Sequence, residues 1–112
     1  METPAKINFH QLPHSAGLEA EVLHRIAELE AIHDRITSCR VTIEAPPHHQ
    51  QHGRLFSVHV DLRIPGAEII ADRATGNRAA HEDPYVAVRD AFRAARRQLE
   101  DHMHRQRVAT TS

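Results

Sequence analysis

Six arginines crowd into one stretch near the end of a 112-residue chain: Arg89, Arg93, Arg96, Arg97, Arg105 and Arg107. The guanidinium group keeps its charge at any physiological pH and binds phosphate through two parallel N–H donors. Arg89, Arg93, Arg96 and Arg97 recur at steps of three and four residues, which places them together on one side of a helix. Such a surface can run along a phosphate backbone, holding register without reading sequence. The same spacing also suits a plain solvated face whose arginines pair with Asp90, Glu100 and Asp101.

Other chemistries are weaker. Eleven histidines invite a metal reading, with His48, His49 and His52 in one loop and His102 and His104 near the end of the arginine stretch. A zinc site needs three or four ligands fixed in tetrahedral geometry. The loop carries no thiolate or carboxylate and has no helical register to aim its rings, so no metal site is expected. Ser15, Ser38 and Ser57 have structural explanations, and no Gly-x-Ser-x-Gly elbow occurs. The four glycines are dispersed, which leaves no Gly-rich phosphate cradle. Asp61 and Glu44 form a conceivable carboxylate pair, but outward charges are normal on a wet sheet face. No enzyme and no cofactor are therefore expected. Phe9, Phe56, Tyr85 and Phe92 all occupy expected core positions, so stacking on bases is not indicated. The pattern favours structured RNA met through shape and phosphate, with Arg73 and Arg78 of a polar loop as possible additions.

The arginines need a helix to hold them. Asp83 suits an N-cap and Pro84 the first helical position. Tyr85, Val88, Phe92, Ala95, Leu99 and Met103 then form an apolar stripe away from the arginines. Earlier, Lys6 to Leu12 reads as a short strand ended by Pro13. Ser15 caps a helix from about residue 16 to 35, with Leu18, Val22, Ile26, Leu29 and Ile32 in its stripe and Leu23 and Ile36 widening it. Alternation marks strands over Cys39 to Ala45 and Phe56 to Ile64, and Glu68 to Arg73 reads as a fourth strand. Pro46 to Gly53 and Thr75 to Glu82 are loops by composition, and Pro65-Gly66 predicts a tight turn. The order β-α-β-β-β-α predicts an α+β fold: a two-layer sandwich with a four-stranded mixed sheet and two helices on one face. Its first crossover is expected to be right-handed and to join parallel strands. The domain is expected over 1–107, with 108–112 a disordered tail.

The balance of charge is uneven rather than basic. The net charge is −1 with histidines neutral, so no global field announces a nucleic-acid ligand. Over 15–36, Glu19, Glu21, Glu28, Glu30 and Asp34 meet only Arg25 and Arg35, a net of −3. Over 84–107, the six arginines meet Asp90, Glu100 and Asp101, a net of +3. The chain has one cysteine, Cys39, so no intrachain disulfide is possible, which fits a reducing cytosol. Neither a secretory leader nor an apolar run of about 18 residues is present, so no membrane role is expected.

With the element order in place, further segments stand out: Ala-Glu-Leu-Glu in the first helix, Pro-Gly-Ala-Glu-Ile-Ile-Ala after the third strand, and His81-Glu82-Asp83-Pro84-Tyr85-Val86-Ala87 leading to Arg97-Gln98-Leu99. Together they resemble the ribosome hibernation-promoting factors, the ribosome-associated inhibitor family also called sigma-54 modulation proteins, across about residues 6 to 106. The resemblance implies a fold similar to a double-stranded RNA-binding domain. It implies that the chain binds the small ribosomal subunit and its 16S-type RNA, in the cytoplasm. Inhibition would come from occupying the channel for messenger and transfer RNA under stress or in stationary phase. By position it also marks Arg25 in the first helix and Arg97 and His102 in the second, with Arg89, Arg93 and Arg96 extending that surface. First helices of the family often carry Lys or Arg where this one has Glu19, Glu28 and Ala31. Longer members add a C-terminal dimerisation domain; this chain resembles a short form, expected to be a monomer or to self-associate weakly. Two alternatives stand beside this reading: a divergent member of the fold that binds another RNA or a protein, and a histidine-based metal or pH sensor.

Overall fold

A computed structural model describes residues 1–45, 56–73 and 83–111. Its elements follow the expected order: β1 (Lys6–His10), α1 (Ala16–Ile32), β2 (Ser38–Glu44), β3 (Ser57–Ile64), β4 (Ala67–Arg73) and α2 (Pro84–Thr111). The four strands form one sheet in the order β1-β2-β3-β4. β1 runs parallel to β2, and the other two pairings are antiparallel. Alternation set this arrangement. Cys39, Val41 and Ile43 of β2 and Val58, Val60, Leu62 and Ile64 of β3 point to one face and are buried there, while Arg40, His59 and Arg63 point to the other. The buried face joins Leu18, Val22, Ile26 and Leu29 of α1 and Val88, Phe92, Ala95 and Leu99 of α2 in a single core. Both helices therefore cover one face of the sheet, and the other face is open.

The ends of the elements have local causes. The Ser15 hydroxyl accepts from the Leu18 amide at 3.2 Å, and an Asp83 carboxylate oxygen accepts from the Tyr85 amide at 2.9 Å, each satisfying a donor that the helix leaves open. Gly66 takes φ +81° in the turn between β3 and β4, the left-handed position that a Pro-Gly turn of type II requires.

Several expectations need correction. β1 stops at His10, two residues short of Leu12, because Gln11 turns to φ +63°. α1 ends at Ile32 rather than near 35, where His33 goes extended while its amide still donates to the Leu29 carbonyl. Ile36 is buried from the segment after the helix, whereas Ile32 and Leu23 are exposed rather than core. Leu23 follows Val22 by one residue, about 100° round the helix and off the buried side. Tyr85, expected in the α2 stripe, is 45% exposed; Ala87, Ala91 and Ala94 fill the wider buried face instead. The backbone of α2 runs on through Thr111. Val108 and Ala109 offer no stop signal such as Gly or Pro. At 28 residues the helix is about 42 Å long, against about 25 Å for strands of seven or eight residues, and after Met103 its side chains at 104–107 are exposed.

Candidate nucleic-acid interface

α2 lays its arginines opposite the core. Arg93, Arg96 and Arg97 are exposed and Arg89 is partly so. The alanines and apolar side chains at 87, 88, 91, 92, 94, 95 and 99 are all buried. α1 packs beside α2 in the same direction: Gly17 lies against Tyr85 near the starts of both helices, and Arg25 shares a groove with Arg93 and Arg96 farther along. That groove has a volume of about 240 Å³ and is lined by Arg25, Glu28, Leu29, Ile32, Phe92, Arg93 and Arg96. Three of the six residues singled out from the sequence thus meet in one place, drawn from two helices. Arg97 and Arg89 flank it on the exposed side of α2.

His102 does not join them. It follows Arg93 by nine residues, about two and a half turns, which carries it to the opposite side of α2. Its Nε2 is buried there with no hydrogen-bond partner. A ring facing inward from the arginine side cannot share their ligand, so His102 drops out of the candidate surface.

Charge pairing divides the arginines. Arg25 Nε donates to Glu21 Oε1 at 2.8 Å, and its Nη1 lies 3.6 Å from Glu28 Oε1. Arg96 Nε donates to Glu100 Oε1 at 3.0 Å, and Arg89 reaches Asp90 Oδ1 at 3.2 Å. This is the solvated-face pattern that the spacing also allowed, and it holds for three of the five arginines. Arg93 and Arg97 have no hydrogen bond or ion pair among the described residues. They are the guanidinium groups free to take an external anion. The Arg96–Glu100 pair is exposed and such pairs are worth about 0–1 kcal/mol, so a phosphate can displace Glu100 at small cost; the Arg89–Asp90 pair is partly buried.

Sequence reasoning missed Glu28, Ile32 and Phe92 as groove residues. Arg25, Glu28 and Ile32 are spaced three and four apart and so share a helix side, which was a legible signal. That this side meets α2 depends on packing, which periodicity does not report. Of the two acids flagged on α1, Glu28 lines the groove, but Glu19 pairs with His14 instead. A second cationic cluster lies on the open sheet face, where Lys6 stands beside Arg40 and Arg40 beside Asp61 in register, with Arg63 near by.

The remaining chemistry is sparse. The His48, His49 and His52 loop and Arg78 lie outside the described residues, as does the Arg73 side chain. Among the described residues no three His, Cys, Asp or Glu side chains group as metal ligands, and no helix is long and apolar enough to cross a membrane. Cys39 is buried, and burial together with the Asp61 and Glu30 carboxylates pushes its thiol up to about 12. A thiol so protonated is a poor nucleophile. A cavity of about 440 Å³ between the end of α1 and the C-terminal part of α2 is lined by Ile32, His33, Ile64, Leu99 and Met103 among others and holds none of the six residues.

Comparisons with known proteins agree with the fold. The family described as Sigma 54 modulation protein / S30EA ribosomal protein matches residues 5–107. A protein of Azotobacter vinelandii named ribosome hibernation promoting factor is 32% identical over 100 residues, covering 89% of this chain and 82% of that one. Among solved structures, a ribosomal subunit interface protein from Coxiella burnetii superposes with a TM-score of 0.71 at 14% identity, covering 89% of this chain and 97% of that chain. The N-terminal domain of Protein Y from Thermus thermophilus gives 0.62 at 13% identity, covering 87% and 94%. At such low identities these two likenesses concern the fold.

Proposed function

We propose that this chain, which belongs to the Sigma 54 modulation protein / S30EA ribosomal protein family, binds the small ribosomal subunit through the arginine face of α2 and the groove beside α1. Bound there, it inhibits translation by occupying the path of messenger and transfer RNA, as a factor of ribosome hibernation in the cytoplasm under stress or in stationary phase. The observation that carries this reading is the meeting of Arg25, Arg93 and Arg96 in one interhelical groove, with Arg97 and Arg89 beside it. Guanidinium groups arranged along a helix engage phosphates of folded RNA without reading its bases. The relative from Azotobacter vinelandii carries hibernation in its name, which supports the same direction. The action is occupancy: no bond is made or broken, and no cofactor is required.

Sedimentation with purified 30S subunits through a sucrose gradient tests it. The parent chain should travel with the particles at low salt. A variant with Arg93→Glu and Arg97→Glu should remain at the top of the gradient with an unchanged circular dichroism spectrum. Both side chains are exposed and off the core, where substitutions cost within about 0.5 kcal/mol. Co-sedimentation of that variant at the level of the parent would remove α2 from the RNA-facing surface.

A further inference from the structure

The interhelical groove is not a uniform cationic slot. Its α2 side carries Arg93, with no partner among the described residues, and Arg96. Its α1 side carries Glu28, a carboxylate that accepts hydrogen bonds and cannot donate them. Between them the floor is apolar, made by Leu29, Ile32 and Phe92, and Ile32 leaves 44% of its surface uncovered. On the α1 side Glu28 offsets the charge of Arg25, so the surplus of positive charge lies on the α2 side of the groove. A ligand that fits all three parts has an anion at one end, a flat apolar body, and hydrogen-bond donors at the other end. At about 240 Å³ the groove is smaller than the roughly 300–1,000 Å³ pockets that enclose whole small ligands, so it takes part of a larger molecule.

Resting on the RNA-binding reading above, we infer that this groove holds one unpaired guanine nucleotide of the bound RNA. Its flanking phosphates lie on Arg93 and Arg96, its ring on Ile32, and its Watson–Crick edge against Glu28. Guanine presents two adjacent donors on that edge, the ring N1–H and the exocyclic amine, which match the two oxygens of one carboxylate. Uracil presents a single N–H between two carbonyl oxygens, and those oxygens face the carboxylate unfavourably. Bases splayed out of folded RNA are read on this edge in the same way. Besides its part in the cationic surface, Arg25 orients this carboxylate: its Nη1 stands 3.6 Å from Glu28 Oε1, and its Nε is anchored on Glu21. The carboxylate thus has an ion-pair neighbour on its own helix and lines the groove beside it. His24, whose Nε2 lies 3.8 Å from the other Glu28 oxygen, borders it from the outer side. Glu28 becomes, on this account, the residue that selects the base.

The experiment measures binding of three fluorescently labelled RNA hexamers by anisotropy: all uridine, one central guanosine, and one central inosine, which lacks the exocyclic amine. The guanosine hexamer should bind the parent chain roughly five- to a hundredfold more tightly than the uridine hexamer, the discrimination a bidentate pair gives, with inosine between them. Glu28→Gln should abolish that preference while tightening the uridine hexamer, since a negative charge leaves the groove. Glu28 is exposed, so the fold tolerates the change. Equal binding of the guanosine and uridine hexamers by the parent, or a preference that survives Glu28→Gln, overturns the inference. If 30S subunits bind in the same buffer while the hexamers are not distinguished, the base site alone is wrong. If subunits and hexamers both fail to bind, the RNA-binding reading fails and the site falls with it.

Discussion

Substituting Arg93 and Arg97 with alanine should flatten the salt dependence of ribosome binding by an amount that the pairing pattern sets. Each phosphate neutralised by a cation releases condensed counterions and adds about 0.7–0.9 to the slope of log affinity against log salt. With Arg25, Arg89, Arg93, Arg96 and Arg97 all engaged, the slope magnitude is about 3.5–4.5, and affinity falls by roughly 100- to 500-fold between 50 and 200 mM salt. Arg93 and Arg97 have no carboxylate partner to exchange among the described residues. Each contributes its full share, so the double alanine variant should lose about 1.4–1.8 from the slope. Arg89 and Arg96 come to the RNA from Asp90 and Glu100, so part of their counterion release is already spent. The corresponding double alanine variant should lower the slope by less, although it takes a guanidinium partner from Asp90 and from Glu100 and weakens binding at every salt concentration. Titration of labelled protein with 30S subunits at four or five salt concentrations reads both slopes. A slope for Arg93→Ala/Arg97→Ala equal to that of the parent, or a larger loss from the Arg89/Arg96 pair, would refute the assignment of the unpaired arginines to phosphate.

Two further outcomes concern the fold that carries the surface. Cys39 should resist iodoacetamide at pH 8 in the folded chain and react fully in denaturant, because burial and neighbouring carboxylates push its thiol up to about 12 from an ordinary 9.0. The folded state holds that proton while the unfolded state gives it up. The contribution to stability is thus complete below about pH 9 and is lost as pH rises toward 12, at up to about 1.4 kcal/mol per pH unit. Urea unfolding between pH 8 and 10.5 should show a steeper alkaline loss for the parent than for Cys39→Ala, and parallel curves would show that the thiol is not protected. Gly17→Ala adds up to about 1 kcal/mol of helix propensity, but its Cβ would collide with the Tyr85 hydroxyl. Because the tyrosine is 45% exposed and only its far end is met, the ring should swing out, leaving the variant at least as stable. As the chain has one tyrosine and no tryptophan, tyrosine fluorescence reports the movement directly. A destabilisation above about 1 kcal/mol with unchanged fluorescence would mean that the ring is fixed.

The sheet was legible because strands answer to a period of two. Val58, Val60 and Leu62 alternate with His59, Asp61 and Arg63, and one face of the sheet had to be dry. The caps were legible for a similar reason: Ser15 and Asp83 satisfy donors that any helix leaves open. The site was legible only in its α2 half. Counting in steps of three and four finds Arg89, Arg93, Arg96 and Arg97, but it gives no angle between two helices. Only packing brings Arg25 across from Arg93 and turns Glu28 into a lining residue. His102 was chosen by position in a resemblance; the helical period places it opposite the arginines, and that count was available without a structure. Tyr85 erred for a different reason. The first turn of α2 leans on α1 at Gly17, so the buried face there is filled by Ala87 and Val88, and small residues leave little trace in a hydrophobic pattern.

The pairing of charges also constrains how binding can occur. Around a chain of net charge −1, with acidic α1 packed beside basic α2, opposite fields cancel beyond the Debye length, about 8 Å at physiological salt. Long-range steering toward RNA is therefore weak, and the association rate should lie far below the 10⁸–10⁹ M⁻¹s⁻¹ range of steered encounters. On the proposed reading, affinity comes from contacts made after arrival: the guanidinium groups of Arg93 and Arg97, unpaired among the described residues, then exchange of Asp90 and Glu100 for phosphate at Arg89 and Arg96. Those contacts slow dissociation rather than speed capture. A protein built in this way ignores most anionic polymers it meets and is held by the one whose phosphates match the groove. Glu28 fits that logic, since an acid inside a cationic groove weakens every RNA a little and penalises least the one that offers it donors.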